Sequence, residues 1–108
     1  MGWSIEFFNE EVEEETLSLP PKILAKLIHI FELIESVGAR LGEPYTKPLG
    51  NGLFEIRAKG QEGIARSIYC YQKGNKIIIL HTFVKKSQKT PKQALAIALR
   101  RKKELDDA

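Results

Sequence analysis

The spacing of apolar residues changes along the chain, and each change marks an element. Ile5-Glu6-Phe7-Phe8 reads as a short strand. Asn9 is a candidate N-cap, and the acidic residues behind it suit a helix N-terminus, which predicts a helix over about 10–18. Ser18-Leu19-Pro20-Pro21 interrupts it, and proline in a first turn starts a second helix. Leu24, Leu27, Ile28, Phe31 and Ile34 fall at helical spacing there, widened by Ile23, Ile30, Leu33 and Val37, and Gly38 suits the C-cap. Residues 39–52 carry Gly42, Pro44, Pro48, Gly50 and Gly52 and read as a loop. Three strand-like runs follow, Leu53–Ala58, Ile64–Gln72 and Lys76–Lys85, with turns at 60–63 and 73–76. Thr90-Pro91-Lys92-Gln93 has the form of a capping box and opens a last helix, with Ala94, Leu95, Ala98, Leu99 and Leu105 on its apolar face. The order β-α-α-β-β-β-α predicts an α+β domain spanning 1–108, an antiparallel sheet against an N-terminal helical hairpin with a C-terminal helix.

Alternation across the strands then sorts the side chains. Phe54, Ile56 and Ala58 share the face that meets the helices, which sends Glu55, Arg57 and Lys59 away from it. In the last strand His81, Phe83 and Lys85 share one parity with Ile77 and Ile79. Arg66 has Ile64, Ile68 and Cys70 as parity neighbours, so its face is ambiguous unless a bulge re-aims it. If these faces coincide, one side of the sheet gathers Glu55, Arg57, Lys59, His81, Phe83 and Lys85, with Arg66 added.

Charge sharpens this picture. The formal net charge is +3, yet residues 1–54 carry −5 and residues 55–108 carry +8. Eight basic residues and no acidic one lie between Lys85 and Lys103. Such a stretch attracts polyanions, above all nucleic-acid phosphates. It also reads as a solvated helix face with an acidic partner surface in the same chain. One cysteine, Cys70, and two histidines cannot build a zinc finger, and no apolar run approaches the roughly 20 residues that span a bilayer. The N-terminal residues do not form a secretory signal, and a cytoplasmic location is expected.

A cationic sheet face with one carboxylate, one imidazole and one aromatic ring suits metal-free RNA cleavage. Arginines hold phosphate in a fork, phenylalanine stacks on an unpaired base, and lysine, glutamate or histidine moves a proton. Each group has a plainer reading. Glu55 and Arg57 also make an ordinary surface ion pair, His81 a packed sheet histidine, Phe83 a ring under the last helix, and Tyr69 and Tyr71 sheet-packing residues. Cys70 has no neighbour that would activate a thiol.

The run Leu49-Gly50-Asn51-Gly52-Leu53-Phe54-Glu55-Ile56-Arg57 resembles the L-x-x-G-L-(aromatic)-E-(aliphatic)-R strand of HigB-type toxins in the RelE/ParE superfamily. Arg66 matches the arginine on their next strand. His81-Thr82-Phe83-Val84-Lys85-Lys86-Ser87-Gln88-Lys89-Thr90-Pro91 is similar to their H-x-F-x-K-K-x-x-K-T-P signature, shared with phage-derived relatives. The resemblance implies a RelE-like fold and the toxin of a type II toxin–antitoxin pair that cuts mRNA on the ribosome without a cofactor. It implies a cognate antitoxin of the helix-turn-helix HigA type, with operator DNA met only through that antitoxin. By position Arg57, Arg66 and Lys85 become phosphate or transition-state groups and Lys59 the lysine near the scissile phosphate. Glu55 and His81 become proton-transfer candidates, and Phe83, Lys86, Lys89 and Lys92 RNA contacts. Arg66→Ala is expected to abolish activity with the fold intact. The alternatives are a ParE-like inhibitor of DNA gyrase and a ribosome- or RNA-binding relative without turnover.

Overall fold

The computed structural model describes residues 2–38, 41–85 and 90–108, with the side chain of Lys85 outside that set. Strand β1 (Ser4–Phe7) leads into helices α1 (Glu10–Leu17) and α2 (Pro21–Val37). Strands β2 (Thr46–Gly50), β3 (Leu53–Gly60), β4 (Gly63–Gln72) and β5 (Lys76–Lys85) follow, and helix α3 (Lys92–Asp107) closes the chain. The five strands form one sheet in the order β1-β5-β4-β3-β2.

Local chemistry accounts for most of these boundaries. The Asn9 side chain accepts from the Val12 amide and caps α1, and Pro21 occupies the first turn of α2. At the other end of α2 Gly38 takes φ +68°, a conformation that favours glycine. A Cβ there would lie 1.9 Å from the Trp3 indole nitrogen, so glycine is also what lets Trp3 cover the helix end. The turn between β2 and β3 places Asn51 at φ 55° and Gly52 at φ 77°, the left-handed pair that a tight hairpin turn needs.

Three features depart from the sequence expectation. The segment read as a loop contains β2, which pairs antiparallel with β3 despite Pro48. Its apolar pattern is too short to register, and Pro48 is tolerable because β2 is an edge strand. The sheet is mixed rather than antiparallel, because β1 pairs parallel with β5 after the helical crossover. The buried stripe of α2 is Ile23, Leu27, Ile30, Phe31 and Ile34, which leaves Ile28 43% exposed.

Helices cover both faces of the sheet. On one face Val12, Ile23, Leu27, Ile30 and Ile34 meet Ile56, Ala58, Ala65, Tyr69, Ile77 and Ile79. On the other, Ala94 and Ala98 of α3 meet Leu53, Ile68, Cys70, Ile78 and Leu80, with Phe83 and Leu105 at the margin. Each such isoleucine or leucine contributes about 1.5–3 kcal/mol on burial. Helix α3 spans only part of its face. The strand ends beyond it are where the polar residues collect.

Candidate phosphate-binding site on the sheet

A bulge in β5 assembles the polar face. Tyr69 pairs with Ile79 and Ile68 with His81, so Leu80 is an extra residue in β5. The alternation therefore resets at that point. Ile78 and Leu80 face α3, and after the bulge so do His81 and Phe83, whereas Ile77 and Ile79 face α2. This corrects the parity expected from the sequence, which grouped His81 and Phe83 with Ile77 and Ile79. The bulged carbonyl is held from α3: Arg101, 7% exposed, donates from Nη1 to the Leu80 oxygen at 2.6 Å and from Nη2 to Glu11 Oε1 at 2.9 Å. Beyond the bulge Thr82 joins a buried hydroxyl chain on the α1 side, 2.9 Å from Thr16 and 2.8 Å from Ser67.

The cross-strand register then sets a row across the sheet. Arg57 on β3 lies directly opposite Arg66 on β4, and Arg66 opposite Phe83 on β5. The neighbouring row holds Glu55, Ile68 and His81. Strands lie about 4.8 Å apart, so each row spans about 10 Å. Arg66 needs no bulge of its own, because β4 keeps Ile64, Ile68 and Cys70 on its side of the sheet.

Glu55 is the anchor of this face. It is fully buried and forms an ion pair with Arg66 Nη1, itself 2% exposed. Arg57 Nε lies 3.6 Å from the same carboxylate oxygen, and Thr90 Oγ1 donates to the other oxygen at 2.6 Å. Two guanidiniums thus share one carboxylate, which leaves one positive charge uncompensated among the described residues. The Nε atoms of both arginines are buried and have no hydrogen-bond acceptor among the described residues. A cavity of about 340 Å³ opens beside them, lined by Lys26, Ile30, Pro44, Tyr45, Arg57, Lys59, Ile64 and Arg66. It lies where β2 has ended and the outer edge of β3 is free. Buried N–H groups beside surplus positive charge and an open cavity have the chemistry to receive an anion.

His81 stacks on Phe83, with ring centroids 5.2 Å apart and planes at 26°. Its Nδ1 lies 3.3 Å from Glu15 Oε1 on α1, a partner that fixes the ring. A second cavity, of about 290 Å³, is lined by His81, Phe83, Pro91, Gln93, Ala94 and Ile97.

The structure therefore brings together Glu55, Arg57, Lys59, Arg66, His81 and Phe83 on one face. Lys92 is exposed at the start of α3. The roles expected of the Lys85 side chain and of Lys86 and Lys89 lie outside the described residues. Within the basic run Arg101 is turned inward, and Lys102 pairs with Asp106 at 2.8 Å, so the run is not a uniform cationic surface. Tyr69 and Tyr71 lie in the opposite core, where burial and a hydrogen bond to Tyr71 raise the Tyr69 pKa. Burial pushes the Cys70 thiol up to about 11, away from nucleophilic use.

Three contributors escape a sequence reading: Thr90, Arg101 and Glu15. The capping-box pattern hid Thr90. The helix begins after Pro91 with no side-chain cap, and the threonine hydroxyl goes to Glu55 instead.

Residues 14–103 match the family model described as phage derived protein Gp49-like (DUF891). The chain belongs to this Gp49-like family. No curated protein matches it. Among solved structures, the crystal structure of the archaeal RelE–RelB complex from Pyrococcus horikoshii OT3 holds a similar chain, with a TM-score of 0.57 at 20% identity. The match covers 78% of this chain and 96% of that one. The Gp49-like chain thus has a RelE-like fold. The face that carries the paired arginines falls inside the span of the family match.

Proposed function

We propose that this Gp49-like protein is the toxin of a type II toxin–antitoxin pair, of the HigB kind, and that it cleaves mRNA on the ribosome. The observation that carries the reading is the Arg57–Arg66 pair, opposed across two strands, sharing one buried carboxylate and keeping two buried N–H groups without acceptors among the described residues. A phosphodiester supplies what that pair lacks, a negative charge with oxygens that accept from a guanidinium fork.

In the proposed reaction the ribose 2′-OH attacks the adjacent phosphorus. The bond to the 5′-oxygen breaks, leaving a 2′,3′-cyclic phosphate and a 5′-hydroxyl. Arg57 and Arg66 hold the phosphate and offset the charge that builds up in the transition state, without a metal ion. Lys59 lies on the same face toward the open strand ends and adds to that charge. Glu55 is buried with both oxygens engaged, so its role is to aim Arg66 rather than to carry a proton. His81, oriented by Glu15, is the proton-transfer group we favour, and it sits diagonally from Arg66, about 7–8 Å away. Phe83, next to Arg66 in its row, receives a base by stacking, and the exposed Lys92, with Lys86 and Lys89, meets the RNA backbone. The partners follow from the same reading: ribosome and mRNA as target, and a cognate antitoxin of the HigA type as inhibitor.

Arg57 provides the cleanest test, because its side chain is 31% exposed and its loss leaves Glu55 paired with Arg66. Arg57→Ala is expected to fold like the parent, to lose growth arrest and to leave cellular mRNA intact. A folded Arg57→Ala variant that cleaves mRNA at the parental rate would remove the pair from the mechanism.

A further inference from the structure

Glu55 is fully buried, so every lone pair on its carboxylate must be met by a protein donor. One oxygen serves Arg66 and faces Arg57 Nε at 3.6 Å. The other takes the Thr90 hydroxyl at 2.6 Å, just ahead of α3. The helix makes no use of that hydroxyl. We propose that Thr90 is a positioning residue for phosphate binding: its hydroxyl occupies the second oxygen of Glu55 and so leaves Arg57 open to the substrate.

The physical argument turns on which donor replaces the hydroxyl. Without it, a buried carboxylate oxygen has no donor among the described residues. Arg66 is fixed by its own ion pair and by burial at 2% exposure. Arg57 is the near alternative, since its Nε is buried with no acceptor among the described residues and its side chain is partly exposed and able to turn. A guanidinium readily closes on a carboxylate as a two-pronged pair. Arg57 would then be consumed by Glu55, and the surplus charge of the site would face inward. Thr90 thus decides whether Arg57 keeps only its loose 3.6 Å contact with the carboxylate or closes on it as a hydrogen-bonded fork. The inference rests on the arginine pair being the phosphate site.

The test compares Thr90→Ser, which keeps the hydroxyl, with Thr90→Val, which keeps the shape without it, alongside Arg57→Ala and the double variant Thr90→Val/Arg57→Ala. Cleavage of a defined mRNA is timed in a translation extract. Thr90→Ser is expected within about twofold of the parent and Thr90→Val about tenfold slower or worse, the scale of one lost charged hydrogen bond. The double variant should be no slower than the slow residual cleavage that Arg57→Ala retains at high protein concentration in the extract, because Thr90 acts through Arg57. Parental rates in Thr90→Val, or losses that multiply, would overturn the proposal; a hydroxyl that only anchors α3 gives multiplying losses. A second readout is independent of cleavage. The Arg57 Nε–H NMR signal should shift with inorganic phosphate in the parent and Thr90→Ser and stay still in Thr90→Val. A Thr90→Val signal that follows phosphate as the parent does would overturn the proposal as well. A parent that leaves mRNA intact would sink the ribonuclease reading, and the phosphate titration would still decide the role of Thr90. If Thr90→Val does not fold, Thr90→Cys, a weak donor of similar size, takes its place. Parental behaviour of Thr90→Cys in both readouts would count against Thr90.

Discussion

Replacing Arg66 with methionine would strand a fully buried carboxylate. Glu55 is fully buried and Arg66 is 2% exposed, so the ion pair between them lies inside the protein. Breaking a buried pair from one side costs about 3–5 kcal/mol, because the remaining charge keeps its desolvation penalty. Thr90 still donates to Glu55, and Arg57 waits 3.6 Å from it, which places the expected loss near the lower end, at about 3 kcal/mol. A 108-residue domain has about 5–15 kcal/mol of stability in all, so the loss is a large share of it. Removing both charges, as Arg66→Met with Glu55→Leu, replaces the pair by apolar volume and is expected to be neutral or stabilising by about 1–4 kcal/mol. The four proteins would be unfolded in urea at pH 7, with slopes compared to confirm a common unfolded state. A coupling above about 2 kcal/mol is expected. An Arg66→Met loss below about 1 kcal/mol, or single losses that simply add in the double variant, would refute the buried-pair reasoning. The expectation that Arg66→Ala removes activity with the fold intact is revised accordingly. Lost activity in that variant would report both the site and the core.

Two further outcomes follow from the same contacts. Arg101→Met removes the donor to the bulged Leu80 carbonyl and the partner of Glu11, and should cost about 2–3 kcal/mol in urea unfolding. It should also shift the His81 and Phe83 ring signals in NMR spectra, and unchanged ring signals would show that the bulge holds without Arg101. The Cys70 thiol has its pKa raised by burial from 9.0 to about 11 in the folded chain. Between those values the unfolded chain has released a proton that the folded chain retains, so stability should fall as pH rises from about 9 to about 11. Cys70→Ala should flatten part of that decline in pH-dependent unfolding, and an identical slope would place its origin elsewhere; Tyr69, whose pKa is also raised, contributes in the same direction at still higher pH.

The helices were readable because their signals are local. Asn9, Pro21 and Gly38 act within a turn of where they stand, and α1 and α2 begin and end where those residues put them. Strand β2 was not readable, since five residues containing Pro48 and Gly50 become a strand only through pairing with β3. The gathering of charged residues was legible from alternation in β3, where no irregularity intervenes. In β5 the same rule failed at Leu80, because a bulge depends on a distant cation, Arg101, to satisfy its carbonyl. The pattern at Thr90 misled for a related reason. A capping box and a hydroxyl aimed at another strand look alike in sequence, and only the packing of α3 against the sheet tells them apart. Burial of Glu55 and Arg66 was likewise invisible, as alternation assigns a face but not how deeply α3 and its approach cover it.

The central claim is that the arginine face cuts translated mRNA. The most direct measurement is induction of the chain in bacteria, with RNA ends mapped by primer extension beside Arg57→Ala. The expected result is cuts inside translated codons, in frame, that vanish in the folded Arg57→Ala variant. Growth arrest with intact mRNA would contradict the claim and turn attention to DNA gyrase.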